Sequence, residues 1–387
     1  MTIEDPSAEP ADGLAERHHI MREMARHFAD REIRPIAAEL DETERFPEEL
    51  YARMAELGMF GITVPEALGG TGGDCLAYAV LMEELSRGYA SVADQCGLVE
   101  LVATLLAQHG TADQQARYLG PLLRAERRCA YAITEAEAGS DVSGIRTTAV
   151  PDGSGWRLTG SKLWIHNAPV ADFAVVLART DPDQGRRGMG IFLVDAHAAG
   201  FSAGQAEHKM GQRASKVGAL HFDNIALGPE ALLGERGRGF HMMMGVLDKG
   251  RVGIAALAVG ILQAALEASI AQAKDRRQFG RPIAQFQAVQ WMIADMAKSA
   301  HAARLMTHAA ARRIDGGARA TLDCSMAKCF ASDAAVEHTA NAVQVHGGMG
   351  YIRGIEVERL YRDAKITQIY EGTNQIQRMI IARTLLE

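Results

Sequence analysis

The chain has 387 residues, of which 48% are hydrophobic and 23% charged, with a formal net charge of −7 and a pI near 6.0. This length exceeds one ordinary hydrophobic core, so we expect two or three packed units, and the composition excludes a disordered, fibrous or low-complexity protein. The negative net charge argues against a nucleic-acid partner, because the chain as a whole has no attraction to a polyanion.

The sequence predicts no membrane span, no disulfide framework and no metal site. We expect no apolar run long enough to span a membrane, and residues 1–9 are acidic where a signal peptide would be basic, which predicts a cytoplasmic protein. The five cysteines are odd in number and contain no Cys-x-x-Cys pair, which predicts reduced and mostly buried thiols. The adjacent His18 and His19 lie in a charged amphipathic stretch, where we expect them to be exposed.

Three segments follow one another along the chain. Residues 1–128 repeat apolar side chains three and four apart, with prolines and a Gly-Gly-Thr-Gly-Gly loop between them, which predicts short packed helices. Residues 129–240 alternate apolar and polar side chains between turns, as strands do. Residues 241–387 return to long helical periods with many alanines. We therefore predict an α+β fold whose N-terminal and C-terminal domains are helical and whose central domain is β, with a cofactor site favoured at a junction.

One carboxylate stands out near the end of the chain, in the segment Tyr370-Glu371-Gly372-Thr373. A Glu followed by Gly where the helical pattern breaks can turn sharply and point its side chain into a cavity. That position suits a general base. A solvated loop glutamate is the alternative on the tetrapeptide alone.

Three other segments have chemistry that suits a cofactor. Residues 134–141 combine small residues with hydroxyls, which lets backbone N–H groups approach a planar or anionic ligand, although a polar turn has the same composition. Trp164 is either core filling or a cofactor wall. Residues 275–280 carry two adjacent arginines, suited to a pyrophosphate or to a surface ion pair.

Taken together, seven segments occur in the order and approximate spacing of the acyl-CoA dehydrogenase flavoproteins. They are residues 134–141, 164–167, 209–215, 233–240, 276–280, 344–351 and 362–373. The chain resembles this family from about residue 15 to its end. The resemblance implies FAD between the β domain and a C-terminal domain of the four-helix-bundle type. It also implies a homotetramer built as a pair of dimers, an acyl-CoA substrate and an electron-transfer flavoprotein as electron acceptor.

The resemblance also implies roles for individual residues. Positions along the flavin ring and the acyl thioester match Tyr131, Ile133, Thr134, Gly139, Ser140 and Trp164. Positions that hold the pyrophosphate and adenosine, partly from a neighbouring subunit, match Arg276, Gln278, Phe279, Gln287, Gln344, Gly347 and Gly348. Further FAD contacts are expected from Thr373 and Gln375, and substrate contacts from Ser140, Tyr370 and Gly372.

Glu371 matches the family's catalytic base. The implied reaction is α,β-dehydrogenation of a fatty acyl-CoA to the trans-2-enoyl-CoA, in which Glu371 takes the Cα proton and flavin N5 takes the Cβ hydride. The backbone N–H of Glu371 and a ribityl hydroxyl would stabilise the enolate oxygen. Exclusion of water should raise the pKa of Glu371. Some relatives carry the base at an earlier position, which is Gly250 here, so Glu371 is the matched candidate.

Several positions depart from the family pattern or stay open. His166 stands where relatives commonly have Thr or Ser, and it either donates to the flavin N5 or O4 edge or packs away from it. Glu100 is expected on a surface helix face, because glutamate is rarely buried. Asp248 and Arg251 either lie near CoA or form an internal salt bridge. The segments 324–328 and 344–348 favour a short or branched acyl chain.

Two other functions remain in view. An acyl-CoA oxidase-like or desulfinase-like enzyme could use the same flavin site with another acceptor or leaving group. A non-catalytic or nucleic-acid-associated flavoprotein is the more remote alternative, and the negative net charge disfavours nucleic acid.

Overall fold

The computed structural model describes residues 13–387, which begin with a helical bundle. Its α-helices are α1 (Glu16–Phe28), α2 (Ala37–Thr43), α3 (Glu48–Glu56), α4 (Cys75–Gly88), α5 (Ala90–His109), α6 (Ala112–Gln114) and α7 (Gly120–Leu123). Short π-helical segments, Ala29–Ile33 and Gln115–Leu119, extend α1 and α6. The centre of this bundle is the pair α4 and α5, whose side chains are buried on nearly every face.

The length of two apolar helical stretches corrects one expectation from the sequence. By length and composition alone, two stretches could cross a membrane, namely Ala90–His109 and Gly239–Asp275. In the fold, 83% and 72% of their most apolar windows are buried inside the protein. Both stretches therefore serve as core helices here, and the expectation that no run has this length was wrong.

The middle of the chain forms an eight-stranded sheet. Its strands are β1 (Cys129–Ala132), β2 (Thr148–Asp152), β3 (Gly155–His166), β4 (Phe173–Arg179), β5 (Met189–Asp195), β6 (Phe201–Ala203), β7 (Val217–Leu227) and β8 (Leu232–Leu233). The order is β6-β7-β3-β2-β4-β5-β8, and β1 pairs in parallel with β4. The end of β3 lies beside β7, where Ile165 pairs with Gly218 and His166 with Val217.

The sheet packs on both faces, which explains why β4 and β5 are apolar without alternation. Phe173, Val175 and Leu177 join the large helical core. Their neighbours Ala174 and Val176 belong to a second core within the β domain. Successive residues of a strand point to opposite faces, so both faces of this strand are covered.

The last part of the chain is helical again. It comprises α8 (Gly239–Gly245), α9 (Leu247–Asp275), a hairpin of β9 (Arg277–Gln278) and β10 (Arg281–Pro282), α10 (Gln287–Asp315), α11 (Thr321–His346), α12 (Glu356–Lys365) and α13 (Asn374–Leu386). Helix α9 packs against α4, α5, α10 and α11. A Cβ on Gly260 would lie 2.0 Å from the Oγ of Ser86, so glycine lets α9 and α4 approach closely.

The α, β, α order and the α+β fold class are confirmed. All five cysteines are free and buried, as predicted. The expected exposure of His18 and His19 was wrong. His18 is buried, and its Nε2 lies 3.0 Å from Oδ1 of Asp74, the residue that caps the N-terminus of α4. His19 is partly buried. An ion-pairing partner 56 residues away gives no signal in local periodicity.

Candidate active site

Glu371 lies in a tight turn between α12 and α13. Its backbone is left-handed, with φ of 53°, and Gly372 follows with φ of 88°. This conformation is unfavourable for a residue with a Cβ, so surrounding contacts have to hold it. The Nζ of Lys328 donates to the carbonyl of Gly372 at 2.9 Å, and Nε2 of Gln377 donates to the carbonyls of Glu371 and Gly372 at 3.2 and 2.9 Å. These bonds fix the turn.

One oxygen of the Glu371 carboxyl group is enclosed by protein, although the residue as a whole is partly exposed. Its Oε2 is buried and accepts no hydrogen bond from residues 13–387. Burial raises the pKa of Glu371 to about 7, Asp94 adds to the rise, and Arg251 and Lys328 oppose it. A carboxyl with this pKa exists in both protonation states at neutral pH, which suits a general base.

Gly250 provides the space that this carboxyl occupies. A Cβ on Gly250 would lie 2.9 Å from Oε2 of Glu371 and 3.2 Å from Cδ2 of Leu101. Contacts this short force one of the groups to move, so a side chain at position 250 and Glu371 compete for the same volume. Helix α5, helix α9 and the Glu371 turn therefore meet at Gly250.

The open question over Asp248 and Arg251 is answered by a short internal salt bridge. Nη1 of Arg251 donates to Oδ1 of Asp248 at 2.6 Å, and Thr321 donates to the other carboxylate oxygen at 2.7 Å. Arg251 is also close enough to lower the pKa of Glu371. The pair therefore holds a positive charge at a fixed place beside the carboxyl group.

The predicted flavin loop is held against β3 by a buried ion pair. Nζ of Lys162 lies 2.8 Å from both Oε1 of Glu135 and the carbonyl of Ile133. The N–H of Leu163 donates to the carbonyl of Thr134 at 2.9 Å. Burial lowers the pKa of Lys162 to about 8, and Glu135 opposes that shift. Residues 133–135 are thereby placed beside the end of β3.

The end of β3 leaves an aromatic face open beside this loop. Trp164 is 62% exposed and has a φ of 55°. A Cβ on Gly139 would meet no atom within 4 Å, and Ser140 is exposed next to it. On the inner side, the hydroxyl of Tyr131 donates to the carbonyl of Met243 at 3.3 Å. An exposed indole next to an open loop fits a planar ring system such as that of FAD.

The residues predicted to hold the pyrophosphate and adenosine lie elsewhere on the surface. Phe279 is 93% exposed on the β9–β10 hairpin. The others are exposed around this hairpin, at the start of α10 and at the end of α11: Arg276, Gln278, Gln287, Gln344, Gly347 and Gly348. Thr373 caps α13 by accepting from the N–H of Ile376, and Gln375 is exposed.

Residues 209–215 form a loop that connects several predicted motifs. A Cβ on Gly211 would lie 2.4 Å from the backbone of Arg362, so this loop touches α12 directly. Nε2 of Gln212 donates to the hydroxyl of Tyr370 at 3.2 Å. The N–H of Ser215 donates to the carbonyl of Gln212 at 3.1 Å. The loop therefore links the residue before Glu371 to the end of β3.

His166 takes part in a cluster of polar side chains at that point. Its Nε2 lies 2.9 Å from Oγ of Ser215, 2.9 Å from Nε2 of Gln95 and 3.4 Å from Oδ2 of Asp94. Gln95 in turn exchanges two hydrogen bonds, of 3.0 and 2.8 Å, with Asn167. Burial lowers the pKa of His166, while Asp94 opposes the shift. Since these partners occupy Nε2, Nδ1 is the ring nitrogen left to approach a flavin.

Sequence reasoning missed some of these residues and misplaced one. Asp94, Gln95 and Lys328 were not singled out, although an Asp-Gln pair inside the apolar α5 is a recognisable signal. Glu100 was expected on a surface, but it is fully buried. Its Oε1 accepts from the N–H of Thr63 at 3.1 Å and from the Thr63 hydroxyl. A partner on another segment outweighed the usual exposure of glutamate.

Comparison with known proteins agrees with this geometry. Family models for the N-terminal, middle and C-terminal domains of acyl-CoA dehydrogenases match residues 15–126, 130–225 and 237–386. A 3-(aryl)acrylate reductase of Clostridium sporogenes is 42% identical over 97% of this chain and all of its own length. The CarC subunit of the caffeyl-CoA reductase-Etf complex of Acetobacterium woodii is 43% identical over 97% of this chain and 99% of its own.

A solved structure gives the same result for the fold. Butyryl-CoA dehydrogenase from Megasphaera elsdenii superposes with a TM-score of 0.94 at 38% identity, covering 97% of this chain and 99% of that one. The resemblance drawn from the seven segments is confirmed. The chain therefore belongs to the acyl-CoA dehydrogenase family, a family of FAD-dependent oxidoreductases.

Proposed function

We propose that this enzyme removes two hydrogens from the Cα–Cβ bond of an acyl-CoA thioester, with Glu371 as the base. The observation that carries the proposal is the carboxyl group of Glu371, whose Oε2 is buried without a hydrogen bond from residues 13–387 and whose pKa is raised to about 7. A base in this state takes a proton readily at neutral pH and is not already neutralised by a partner.

The same turn offers a hydrogen-bond donor. Within residues 13–387, the backbone N–H of Glu371 makes no hydrogen bond to protein. It is therefore free to donate to the thioester carbonyl, where negative charge develops as the Cα proton leaves. Loss of one such preorganised donor typically costs about 3 kcal/mol of transition-state stabilisation. Lys328 and Gln377 keep this N–H in place by holding the neighbouring carbonyls.

The hydride that leaves Cβ needs an electron acceptor, which is the chemistry that FAD supplies when bound. The loop of residues 133–140 and the exposed face of Trp164 are the parts of this chain that would hold the flavin ring. Lys162 and Glu135 keep that loop rigid. A flavin held by this loop and an acyl chain bound next to the Glu371 turn would have the base and the electron acceptor on different sides of the acyl chain.

The test is an anaerobic titration of the FAD-loaded protein with short, branched, medium, long and aryl acyl-CoAs, following the oxidised-flavin absorption band. We expect at least one class to bleach the wild type and Glu371→Gln to stay oxidised. Glu66→Gln is the matched control, because Glu66 is an exposed glutamate outside the site. Bleaching that is equal in Glu371→Gln and wild type would refute Glu371 as the base.

The same titration tests the direction of the reaction and the class of acyl chain that reacts. The two relatives described above are named as reductases of aryl acrylates and caffeyl-CoA, which hold a double bond at the same Cα–Cβ position. A carboxyl group with a pKa near 7 can also return a proton to Cα. We propose a short or arylpropionyl chain as substrate. Reoxidation of the flavin when prereduced enzyme is mixed with an enoyl-CoA would show that the enzyme also reduces the double bond.

We also propose that His166 adjusts the flavin potential through Nδ1. The cluster around Nε2 holds the ring in one orientation, so Nδ1 points out of the cluster. A hydrogen bond from this nitrogen to the flavin edge would stabilise the reduced cofactor. An unchanged potential in His166→Thr would contradict this role.

A second copy of the chain is proposed to complete the FAD site, within a tetramer made of two dimers. The side chains expected to hold the adenosine part, such as Arg276 and Phe279, are exposed at the end of α9 and on the β9–β10 hairpin. Trp291 and Met379 are each 65% exposed, and a groove of about 410 Å³ between α10, α11 and α13 is lined by Met306, Phe330 and others. Light scattering with and without FAD measures the assembly directly.

The electron acceptor is proposed to be an electron-transfer flavoprotein. One relative is named as part of an Etf complex, which supports this class of partner. We further propose a cytoplasmic location, which cell fractionation tests. Rapid reoxidation of the flavin by oxygen, with no acceleration by electron-transfer flavoprotein, would instead favour the oxidase-like alternative.

A further inference from the structure

Helix α5 is buried except along one stripe. From Ala90 to Leu106, the residues with measurable exposure include Asp94, Gly97, Leu98 and Leu101, whereas residues between them such as Val99 are at or near 0%. Leu98 and Leu101 are each 5% exposed. Spacings of three, four and seven residues put these positions on one face of the helix. We call the path along this slightly exposed face of α5, from Leu101 to Asp94, the groove.

The groove leads to the proposed base. Leu101 lies at one level of it, next to Gly250 and the carboxyl group of Glu371. Gly97 lies between Leu101 and Asp94 and faces α4, where a Cβ at position 97 would be 3.2 Å from Cε of Met82 and 3.5 Å from the hydroxyl of Tyr78. Asp94 lies two turns, or roughly 10 Å, along the helix from Leu101. On this path, an acyl chain whose Cα meets Glu371 would pass the apolar side chains of Leu101 and Leu98 before it reaches the carboxyl group of Asp94.

A second set of contacts places Asp94 beside the same site. Its Oδ2 accepts from the hydroxyl of Ser215 at 2.7 Å, and Ser215 is joined through Gln212 to the hydroxyl of Tyr370. The other carboxylate oxygen, Oδ1, receives no hydrogen bond from residues 13–387, and 13% of the side chain is exposed. The proximity to Glu371 agrees with the contribution of Asp94 to the raised pKa of Glu371.

A plain alkyl chain has no group that can bind the carboxyl group of Asp94 at the end of this path. Filling the groove with hydrocarbon would remove water from Oδ1 of Asp94 and provide no donor in return, which costs binding free energy. A substrate with a hydroxyl or ammonium group at that depth would replace the lost water. Sites built to hydrogen-bond such a group strongly reject the analogue without it.

We propose that the acyl group of the substrate carries a hydrogen-bond donor that binds Oδ1 of Asp94. The inference rests on the proposed function and adds to it the chemical class of the acyl chain. His166, Ser215 and Gln95 act as positioning residues, because their mutual bonds hold the Asp94 side chain at the end of the groove.

The experiment compares matched pairs of acyl-CoAs by the rate of anaerobic flavin bleaching. The pairs are 3-(4-hydroxyphenyl)propionyl-CoA with 3-phenylpropionyl-CoA, 6-hydroxyhexanoyl-CoA with heptanoyl-CoA, and 6-aminohexanoyl-CoA with heptanoyl-CoA. We expect one donor-bearing member to react about 10- to 100-fold faster at limiting substrate, the range for a hydrogen bond to a charged group. The hydroxyl and amino arms distinguish the two kinds of donor.

Variants of Asp94 provide the second part. Asp94→Leu should remove or invert the ratio of the donor-bearing rate to the plain-chain rate, both measured in the same variant, and Asp94→Asn should keep part of that ratio. Asp113→Leu is the control, because Asp113 is an exposed aspartate on α6, outside the site. The FAD potential without acyl-CoA is measured for each variant.

The outcomes separate this inference from the proposed function. If plain and donor-bearing chains bleach wild type equally, and Asp94→Leu changes neither, the inference is refuted while dehydrogenation stands. If Asp94→Leu shifts the flavin potential and leaves acyl preference unchanged, Asp94 serves the cofactor and the inference is again wrong. If no acyl-CoA bleaches the flavin, the proposed function itself fails.

Discussion

Replacing Glu371 by Gln should stabilise the folded protein above neutral pH and leave its stability unchanged in acid. Burial raises the pKa of this carboxyl from 4.5 to about 7, a rise of roughly 2.5 units, and each unit corresponds to about 1.4 kcal/mol. The ionised side chain therefore costs the folded state about 3 kcal/mol. Below about pH 4.5 the carboxyl is protonated in both the folded and unfolded states, so the cost is absent there.

The pH window follows from the same two pKa values. Wild-type stability should fall as pH rises from about 4.5 to about 7 and then level off, because the unfolded chain releases this proton first. A neutral amide at position 371 avoids that loss. Thermal unfolding of the FAD-loaded protein, at a fixed scan rate between pH 4.5 and 8.5, should show Glu371→Gln melting a few degrees above wild type at pH 8.

A matched measurement decides whether burial is the cause. Glu66→Gln removes an exposed glutamate, so its melting temperature should follow wild type at every pH. The reasoning is refuted if Glu371→Gln differs from wild type by the same amount at pH 4.5 and pH 8. A constant difference would mean that the substitution changes packing and that ionisation of Glu371 does not matter.

Three further predictions concern the surroundings of Glu371. The pH profile of kcat/KM should rise with ionisation of Glu371 near pH 7, and Arg251→Gln should move the rise to higher pH, because Arg251 lowers the pKa of that carboxyl; an unmoved profile would contradict this. Gly250→Ala should slow anaerobic flavin reduction about 10-fold or more with acyl-CoA binding retained, since its Cβ would lie 2.9 Å from Oε2 of Glu371; a wild-type rate in stopped flow would show that the carboxyl has room. Lys328→Met should lower kcat and destabilise the protein by about 1–3 kcal/mol in urea unfolding, because the carbonyl of Gly372 loses one of its two donors and the buried side chain of Asn374 also loses one, whereas the exposed Lys298→Met should do neither.

Local patterns predicted the order of the three segments and the turn at Glu371. The helical period, the strand alternation and the Glu-Gly step are each readable within a few residues. Burial of Glu100 was not readable in this way, since it depends on Thr63 and on Lys249 across two helices. The family resemblance supplied Gly250 as an alternative position for the base, but the contact between Gly250 and Glu371 needed coordinates.

The polar cluster at the end of β3 illustrates why part of the site stayed out of reach. Gln95 and His166 are separated by 71 residues, and Asp94 and Ser215 by 121. Taken alone, each residue has an ordinary structural explanation: a polar residue in a helix, a histidine at the end of a strand, or a serine in a loop. They form one polar cluster only because α5 packs against the sheet, and periodicity does not specify that arrangement.

Different faces of helix α5 support the helical bundle and border the groove. Residues such as Val99, Ala103 and Leu105 are wholly enclosed and support the bundle, whereas Asp94, Leu98 and Leu101 border the groove. Under the proposed role of Asp94, we expect substitutions on the groove side to change which acyl chain is accepted while the enclosed faces continue to support folding. This separation would let related enzymes diverge in substrate through a few changes on a single helix. It also gives protein engineers a short set of positions to vary first.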